Sequence, residues 1–337
     1  MAFFYFPIFE DSTYVLKNRI EFQIIFLGVK VYQGIEQFKF DGKLAVTTGT
    51  FDGVHIGHRK ILDRLNEVAS NLNGESALLT FYPHPRMVLQ EDSDLRLLTT
   101  IEEKIELLQE AGLNHLIIHP FTKAFSRTSS LEYVRDILVN QLGTDKLVIG
   151  YDHHFGRNRE GSFEHLKECG PIYGFEVEEI PPQDIDDVNV SSTKIRAALA
   201  QGDVKTANAY LGAKFQLNGV VVQGNQLGRK LGFPTANLDL QNDYKLIPAD
   251  GVYAVQVKLG NKHYNGMLNI GLRPTVDENS SRRSIEVNIF DFDKAIYQES
   301  IQLRLVERIR EEKKFEDIAA LKAEMQNDKV KCQTILA

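Results

Sequence analysis

Two histidines in a glycine-rich turn are the residues of this chain best placed for chemistry. Residues 49–58 read GTFDGVHIGH and follow the apolar run LAVTT. A strand that ends at Gly49 and continues as a helix near Gly57 leaves backbone N–H groups at a helix N-terminus, where phosphate binds. His55 and His58 would share one face of the first turn and donate hydrogen bonds to charge on a phosphate in transfer. A capped helix start with two surface histidines is the alternative interpretation.

A second segment of the first half has the residue types that hold a triphosphate. VSSTKIRAAL (190–199) combines three hydroxyls at a predicted helix start with the positive charge of Lys194 and Arg196. A simple helix N-cap is the alternative. The residues of this half predicted to bind ATP phosphates are Gly49, Phe51, Asp52, Gly53, Ser191, Ser192, Thr193 and Arg196.

Polar side chains also follow two other predicted strands. FYPHPRMVL (81–89) and GYDHHFGRNREG (150–161) come directly after apolar runs. They therefore lie at the carboxyl edge of a parallel sheet, where ligands bind in open α/β folds. His84, Asp152, His153 and His154 are candidate polar contacts there, and their spacing matches no known set of metal ligands.

The second half has a separate glycine-rich segment, GVVVQGNQLGRKLGFPTANL (219–238). It matches neither of the common phosphate-loop patterns. Gly228, Arg229 and Lys230 are predicted to contact ATP phosphates. Thr235 and Asn237 alternate in an extended stretch and face the same way, so a hydroxyl and an amide oxygen are predicted to bind Mg²⁺ together with ATP. A glycine-rich hairpin connection is the alternative.

A glutamate in a predicted strand is the candidate base of this half. SIEVNIF (284–290) alternates, with Ile285, Val287 and Ile289 on one face and Glu286 on the other. A carboxylate near a Mg-nucleotide loop can accept a proton from a substrate hydroxyl. A solvated strand glutamate is the alternative. Arg273, in GMLNIGLRPT, is more typical of a turn, although it could meet a phosphate.

The elements that position these residues change in kind along the chain. From Lys43 to residue 180, short apolar strands alternate with helices, which predicts βαβ units and a parallel sheet. After two helices around 191–212, short strands with glycine turns predict a small antiparallel barrel. A final helix is predicted with Phe315, Ile318, Leu321 and Met325 as its apolar stripe.

The length and composition of the chain limit the classes of protein and of binding partner that fit it. The 337 residues favour two domains, and a net charge of −7 argues against nucleic acid as the main partner. Two distant cysteines suit a reducing compartment and form no CxxC pattern. Residues 1–28 are aromatic and apolar but interrupted by charges; they fit no membrane span and are expected to be poorly ordered.

Taken together, these segments resemble one family. From about residue 30 to the C-terminus the chain is similar to the bifunctional bacterial riboflavin kinase/FAD synthetases. The matching segments, in order, are GTFDGVHIGH, the PHP loop, FSRTSSLEYVRD, IGYDHHFGRNREG, SSTKIR, LGRKLGFPTANL, GMLNIGLRPT, IEVNIFDFD and RIREEKKF.

The resemblance implies a fold and two reactions. A Rossmann-like nucleotidylyltransferase domain (29–200), a linker helix (201–212) and a Greek-key β-barrel kinase domain (213–337) are expected. The barrel would phosphorylate riboflavin with ATP to FMN, and the first domain would adenylylate FMN to FAD, releasing pyrophosphate. His55 and His58 would stabilise the α-phosphate and Glu286 would be the kinase base. The residues expected to contact the flavin are Pro83, His84, Pro85, Asp152 and Arg273.

The chain departs from the family pattern at two positions beside the kinase site. Asn288 stands where His is frequent, and Gln298 stands where Gly commonly follows the turn tyrosine. The usual start of the family aligns near Val29, so residues 1–28 are expected to be an upstream extension or a mis-called start.

Three other interpretations compete with this one. A class I aminoacyl-tRNA synthetase also has a turn with the sequence HIGH (residues 55–58 here), but it would carry a second motif similar to KMSKS, which this chain lacks. A sugar- or pantetheine-phosphate nucleotidylyltransferase would not need LGRKLGFPTANL. A flavin-binding regulatory protein with dead sites would not need the retained histidines and Glu286.

The protein is expected to work in the cytoplasm, with no nucleic-acid or membrane partner, and to be a monomer or weak homo-oligomer.

Overall fold

The chain is described from a computed structural model that covers residues 28–90, 94–151, 153–181, 190–224, 228, 231–272 and 283–337. The predictions for residues 1–27, Asp152, Arg229, Lys230 and Arg273 fall outside these ranges.

Parallel strands and helices alternate in the first half. The strands are β1 (Lys30–Gln33), β2 (Leu44–Thr48), β3 (Glu75–Phe81), β4 (His115–His119), β5 (Lys146–Gly150) and β6 (Glu176–Ile180). The helices are α1 (Ile56–Asn71), α2 (Pro85–Leu89), α3 (Ile101–Glu110), α4 (Ser130–Glu132) with a π-helical continuation (Tyr133–Gln141), and α5 (Phe163–Tyr173). Short 3-10 turns cover Ile35–Gln37, Phe125–Arg127 and Arg157–Arg159.

The six strands pair in the order β1-β4-β3-β2-β5-β6, all parallel. Both faces of the sheet are covered, because alternate residues of each central strand enter two different apolar clusters; Ala45 and Leu78 lie in one, Val46 and Leu79 in the other. This explains why β2 reads as an unbroken apolar run with every residue buried. The prediction of a parallel α/β sheet is confirmed.

The second half is a closed antiparallel barrel that two helices precede. Its elements are α6 (Ser192–Gln201), α7 (Val204–Leu211), β7 (Gln216–Val222), β8 (Ala236–Asp239), β9 (Gly251–Leu259), β10 (Lys262–Leu272), β11 (Arg283–Ile289), β12 (Ser300–Arg310) and α8 (Ile318–Leu336). Around the barrel the order is β10-β11-β8-β7-β12-β9, closed by the pairing of β9 with β10. Strand β12 returns beside β9 after the β9-β10-β11 meander, which is the Greek-key order. The predicted barrel is confirmed.

The C-terminal helix differs from its prediction. It begins at Ile318 after the N-cap Asp317, so Phe315 precedes it, and the Ile318 side chain is 66% exposed. Of the predicted stripe, Met325 does pack against the barrel, and Cys332, Ile335 and Leu336 continue this contact toward the C-terminus. The same helix also buries Asp328, which pairs with Arg310 of β12.

Strand β1 and helix α5 were not predicted, and neither were the short helix α2 and the strand β8. Strand β1 is a short edge strand with only partly buried residues. Helix α5 contains Pro171 and Gly170, which its sequence presents as helix breakers. Its core contacts come from Leu166 and Cys169.

Candidate functional site

The first candidate site lies where the strand order of the parallel sheet reverses. After β2 the chain moves toward β3, β4 and β1 on one side, while β5 and β6 lie on the other. The carboxyl ends of β2 and β5 are therefore the topological switch point, where α/β sheets bind ligands. Thr48 Oγ1 lies 3.3 Å from His153 Nε2, so the loops after these two strands meet.

The two histidines of the turn form a stacked pair. His55 is the N-cap of α1, and its Nδ1 accepts a hydrogen bond from the His58 backbone N–H at 3.3 Å. The rings stack with centroids 3.7 Å apart and 14° between planes, and Phe51 stacks on His58 at 4.5 Å. Because His55 Nδ1 is an acceptor, the neutral ring carries its proton on Nε2.

Burial keeps both imidazoles neutral. It lowers the pKa of His55 to about 4, although the carboxylate of Asp52 opposes the shift. Burial, and then the charge of His55 and of Lys104, lowers the pKa of His58 well below its usual value. The pair therefore offers N–H donors rather than positive charge at neutral pH.

Asp52 joins the turn to the start of α6. The Asp52 carboxylate is buried and pairs with Arg196 Nη2 at 2.5 Å. The Asp52 backbone carbonyl accepts a hydrogen bond from Ser192 Oγ at 3.0 Å. The carboxylate also accepts the N–H groups of Leu98 at 3.0 Å and of Thr99 at 3.2 Å. GTFDG and SSTKIR thus form one site.

The remaining residues predicted at this site are placed as follows. Ser191 is the N-cap of α6 and accepts from the Lys194 N–H at 3.3 Å, whereas the Thr193 side chain is exposed. Gly53 has φ of +86°, and a Cβ there would lie 2.8 Å from Leu98 Cδ1, so this position requires glycine. Gly49 bonds back to the sheet through its N–H, which donates to Leu79 O at 3.0 Å.

The PHP loop (residues 83–85) lies close enough to the GTFDG turn for the charge of Asp52 to act on His84. His84 is the N-cap of α2, with Pro85 as the first helical residue, and its Nδ1 accepts from the Arg86 N–H at 3.2 Å. Burial lowers the pKa of His84 to about 4, opposed by the charge of Asp52. The ring is therefore neutral beside the turn.

Sequence reasoning missed Lys104. It is 5% exposed, and its Nζ donates to Thr50 O at 2.8 Å. Thr80 Oγ1 donates to the same carbonyl at 3.3 Å. In the trans peptide between Thr50 and Phe51 the C=O and the N–H point in opposite directions. The two hydrogen bonds to Thr50 O therefore orient the N–H of Phe51 away from Lys104. In TIEEKIELL the lysine looks like an ordinary surface charge, and nothing in that pattern marks it.

The second candidate site lies on the barrel, where β8 meets β11. Asn237 pairs in register with Glu286, and Thr235 Oγ1 donates to Glu286 Oε2 at 3.3 Å. A Cβ at Gly224 would lie 2.1 Å from Asn237 Nδ2, and one at Gly228 would lie 2.4 Å from a backbone oxygen. The sequence-predicted hydroxyl, amide and carboxylate are therefore brought together, with Gly224 and Gly228 packed closely against the residues around them.

Asn288 was noted only as a departure from the family pattern. Its side chain is 6% exposed, and its Nδ2 donates to Pro234 O at 2.7 Å. Because Pro234 directly precedes Thr235, this bond holds the start of the PTAN stretch on β11.

The oxygen donors at the second site fit a hard cation. Hydroxyl and amide oxygens beside a carboxylate are ligands of the kind that Mg²⁺ takes, with phosphate oxygens and water completing the shell. Within the described ranges no group of three or more His, Cys, Asp or Glu side chains could hold a metal ion.

Comparisons with known proteins give separate matches for the two halves of the chain. The family model for FAD synthetase matches residues 37–194, and the model for riboflavin kinase matches residues 211–336. A bifunctional riboflavin kinase/FMN adenylyltransferase of Buchnera aphidicola is 35% identical over 89% of this chain and 96% of its own length. The Escherichia coli K12 protein of the same description is 37% identical over 85% and 90%.

Among solved structures, the following one shares the fold over most of the chain. A crystal structure described as a macrolide-efflux protein from Streptococcus pneumoniae has a TM-score of 0.82, with 30% identity over 90% of this chain and 98% of that one. In the residues that our structure describes, no helix has the length and apolar character to cross a membrane.

Kinases and adenylyltransferases that use ATP generally require a divalent cation. The two family models match the two halves of the chain, and the relatives match it almost end to end. Together with the presence of two separate sites, these matches indicate one family. The chain belongs to the family of bifunctional riboflavin kinase/FMN adenylyltransferases, which convert riboflavin to FMN and FMN to FAD.

Proposed function

We propose that the two reactions of this family are divided between the two sites. The parallel-sheet domain, residues 29–200, adenylylates FMN, and the barrel domain, residues 213–337, phosphorylates riboflavin, with 201–212 as the linker. The observation that carries this proposal is the stacked neutral pair of His55 and His58 beside Arg196, apart from the hydroxyl, amide and carboxylate on the barrel.

In adenylyl transfer, a phosphate oxygen of FMN attacks the α-phosphorus of ATP, and the bond to the β-phosphate breaks. The N–H donors of His55 and His58 stabilise charge on the α-phosphate oxygens. Arg196 and the hydroxyls of Ser191 and Ser192 hold the β- and γ-phosphates. The carboxylate of Asp52 does not face phosphate in this scheme; it orients Arg196, to which it is bonded.

In the kinase reaction, Glu286 accepts the proton of the riboflavin 5′-hydroxyl as its oxygen attacks the γ-phosphorus. Thr235 and Asn237 hold Mg²⁺ on the nucleotide. When bound, Mg²⁺ neutralises charge on the transferring phosphoryl group. Gly228 contributes backbone contacts to the phosphates; a side chain there would clash with the Phe233 carbonyl and crowd Thr235.

Labelled ATP separates the two reactions. Riboflavin and Mg²⁺ are supplied with ATP labelled on the α- or the γ-phosphate, and the flavins are separated by chromatography. The proposal predicts γ-label in FMN and α-label in FAD. No label in any flavin would support the competing interpretation of a flavin-binding protein with dead sites.

Two substitutions test the residue roles. Glu286→Gln should stop FMN formation while leaving FMN-to-FAD conversion intact, and His58→Ala should do the reverse. Loss of one stabilising donor lowers such rates by roughly 100–1000-fold. Glu299→Gln and His263→Ala, both at exposed positions, are the matched controls. If either site variant stopped both reactions in a folded chain, the two-site assignment would be wrong.

The setting is part of the same proposal. Riboflavin, FMN and ATP are the small-molecule partners, in the cytoplasm, with the chain working as a monomer or weak homo-oligomer and without nucleic acid or membrane. The acidic net charge of −7 and the two buried, unpaired cysteines support this. Light scattering of the purified chain at several concentrations tests the oligomeric state.

A further inference from the structure

A loop of the barrel domain pairs with the parallel-sheet domain. Lys245, between β8 and β9, forms an isolated parallel bridge with Leu97. The N–H of Leu97 donates to Tyr244 O at 2.7 Å, and the N–H of Leu246 donates to Leu97 O at 2.8 Å. The segment directly before α3 is therefore held by backbone bonds from the other domain.

The Lys245 side chain continues this contact into a closed interior. It is 1% exposed, and its Nζ lies 2.5 Å from Glu103 Oε2, whose side chain has no exposure. The same Nζ donates to Leu98 O at 2.7 Å and lies 4.4 Å from the ring centre of Phe215. A desolvated ion pair is weak evidence for stability, because the cost of removing both charges from water offsets their attraction. The additional hydrogen bond from Lys245 to the Leu98 carbonyl gives this side chain a role other than stabilising the fold.

Leu98 is held from both sides. Its carbonyl accepts from Lys245, while its N–H donates to the carboxylate of Asp52 at 3.0 and 3.1 Å. Thr99 adds its N–H to the same carboxylate at 3.2 Å. On the far side, Asp52 pairs with Arg196. One residue thus separates a barrel lysine from the carboxylate that orients the arginine of the first site.

Helix α3 provides a second route between the same groups. Glu103 and Lys104 are consecutive residues in its first turn. Glu103 faces Lys245 of the barrel, whereas Lys104 donates to Thr50 O in the GTFDG turn at 2.8 Å. Glu103 also accepts from the Thr100 N–H, which completes the capping box of the helix. Movement of this turn would displace both groups together.

We propose that Lys245, although it belongs to the riboflavin kinase domain, is a positioning residue for adenylyl transfer. It holds the Leu98 peptide where the backbone N–H groups fix Asp52, and Asp52 in turn fixes Arg196. The inference rests on the role given above to Arg196 at the ATP phosphates. It makes the second reaction of the chain dependent on a side chain from the domain of the first.

The test uses the full-length chain and measures both reactions in each variant. Lys245→Met keeps the length of the side chain and removes its donors. The KM for ATP in FMN adenylylation should rise about tenfold, equivalent to about 1.4 kcal/mol of ATP binding, because Arg196 is no longer held in place to contact the phosphates. FMN formation should stay within about twofold, as the barrel site is untouched. Lys245→Arg, which retains charge and donors, should recover most of the adenylylation.

A double variant separates positioning from stability. Lys245→Met leaves Glu103 as a buried, uncompensated carboxylate, which can unfold the chain. Adding Glu103→Met removes that charge and introduces no new donor that could replace Lys245 at Leu98 O. The double variant should therefore regain the thermal midpoint and keep the raised KM for ATP. If KM recovers with the midpoint, Lys245 has only a structural role and the proposal is overturned.

Two further variants complete the design. Lys205→Met breaks an exposed ion pair with Glu307 of the barrel at 2.8 Å and is the matched control, with both reactions unchanged. Arg196→Ala tests the underlying assignment. If Arg196→Ala raises KM for ATP and Lys245→Met does not, only the present inference fails. If Arg196→Ala has no effect, the assigned role of Arg196 fails, whatever Lys245 does.

Discussion

The buried imidazole of His55 predicts acid sensitivity of the parallel-sheet domain. His55 is 7% exposed, and burial lowers its pKa to about 4 in the folded chain, against the ordinary value of 6.5. Between these values the unfolded chain binds a proton that the folded chain does not. Stability from this group is therefore complete above pH ~6.5 and is lost as pH falls toward 4.

The magnitude follows from the two pKa values. Moving from pH 7 to pH 5 should weaken the fold around α1 by about 2 kcal/mol through His55 alone. His55→Asn removes the titration, and asparagine retains the ability to cap α1 in place of the imidazole. The pH dependence of the variant should be smaller by that amount. Other neutral histidines nearby remain in both chains, so the difference between them isolates His55.

Hydrogen exchange of peptides from α1, followed by mass spectrometry between pH 5 and 7, gives the opening free energy of this region. An NMR titration of the His55 ring gives its pKa directly. His263→Asn, at an exposed position of the barrel, is the control and should leave the α1 result unchanged. A ring that titrates at 6 or above, or equal pH slopes in the chain and its His55→Asn variant, would refute the reasoning.

Three further predictions concern residues whose partners only the structure reveals. Asp328→Asn removes the buried partner of Arg310, 2.7 Å away, and should destabilise the barrel by about 3 kcal/mol in urea unfolding; a loss below ~1 kcal/mol would contradict this. Asn288→Leu leaves Pro234 O without its donor and should slow FMN formation about tenfold, with adenylylation unchanged, in the chromatographic assay. Lys104→Met removes the shorter of the two hydrogen bonds to the Thr50 carbonyl in the GTFDG turn and should lower FAD formation but not FMN formation; equal loss of both would indicate misfolding.

Much of the fold was predictable because it depends on local periodicity. The buried strand β2 and the helix that follows its glycine turn were recognised from apolar runs and spacing. The capped start of α6 was recognised from its hydroxyl residues. Helix α5 was missed because proline and glycine in its sequence argue against a helix, and its contacts with the core outweigh that local preference.

The candidate sites were predictable to a similar extent. Thr235 and Asn237, which the alternation predicted to face the same way, both lie beside Glu286: Asn237 pairs with it across β8 and β11, and Thr235, directly before β8, bonds to it. Lys104 was missed, because a lysine that donates to a buried carbonyl and a lysine in solvent have the same sequence signature on an amphipathic helix. The orientation of Asp52 was missed for the same reason: its spacing placed it in the turn, and its carboxylate faces Leu98 and Arg196.

The sequence by itself determined the order of the elements, the two motif-bearing halves and the residues within each turn, because bonds between neighbours depend on spacing along the chain. Tertiary structure alone decided which charges meet. Asp52 and Arg196 are 144 residues apart, and Glu103 and Lys245 are 142 apart. Packing brings together elements that are distant in sequence, and the buried carboxylates of Asp52 and Glu103 meet their cationic partners only in the folded chain.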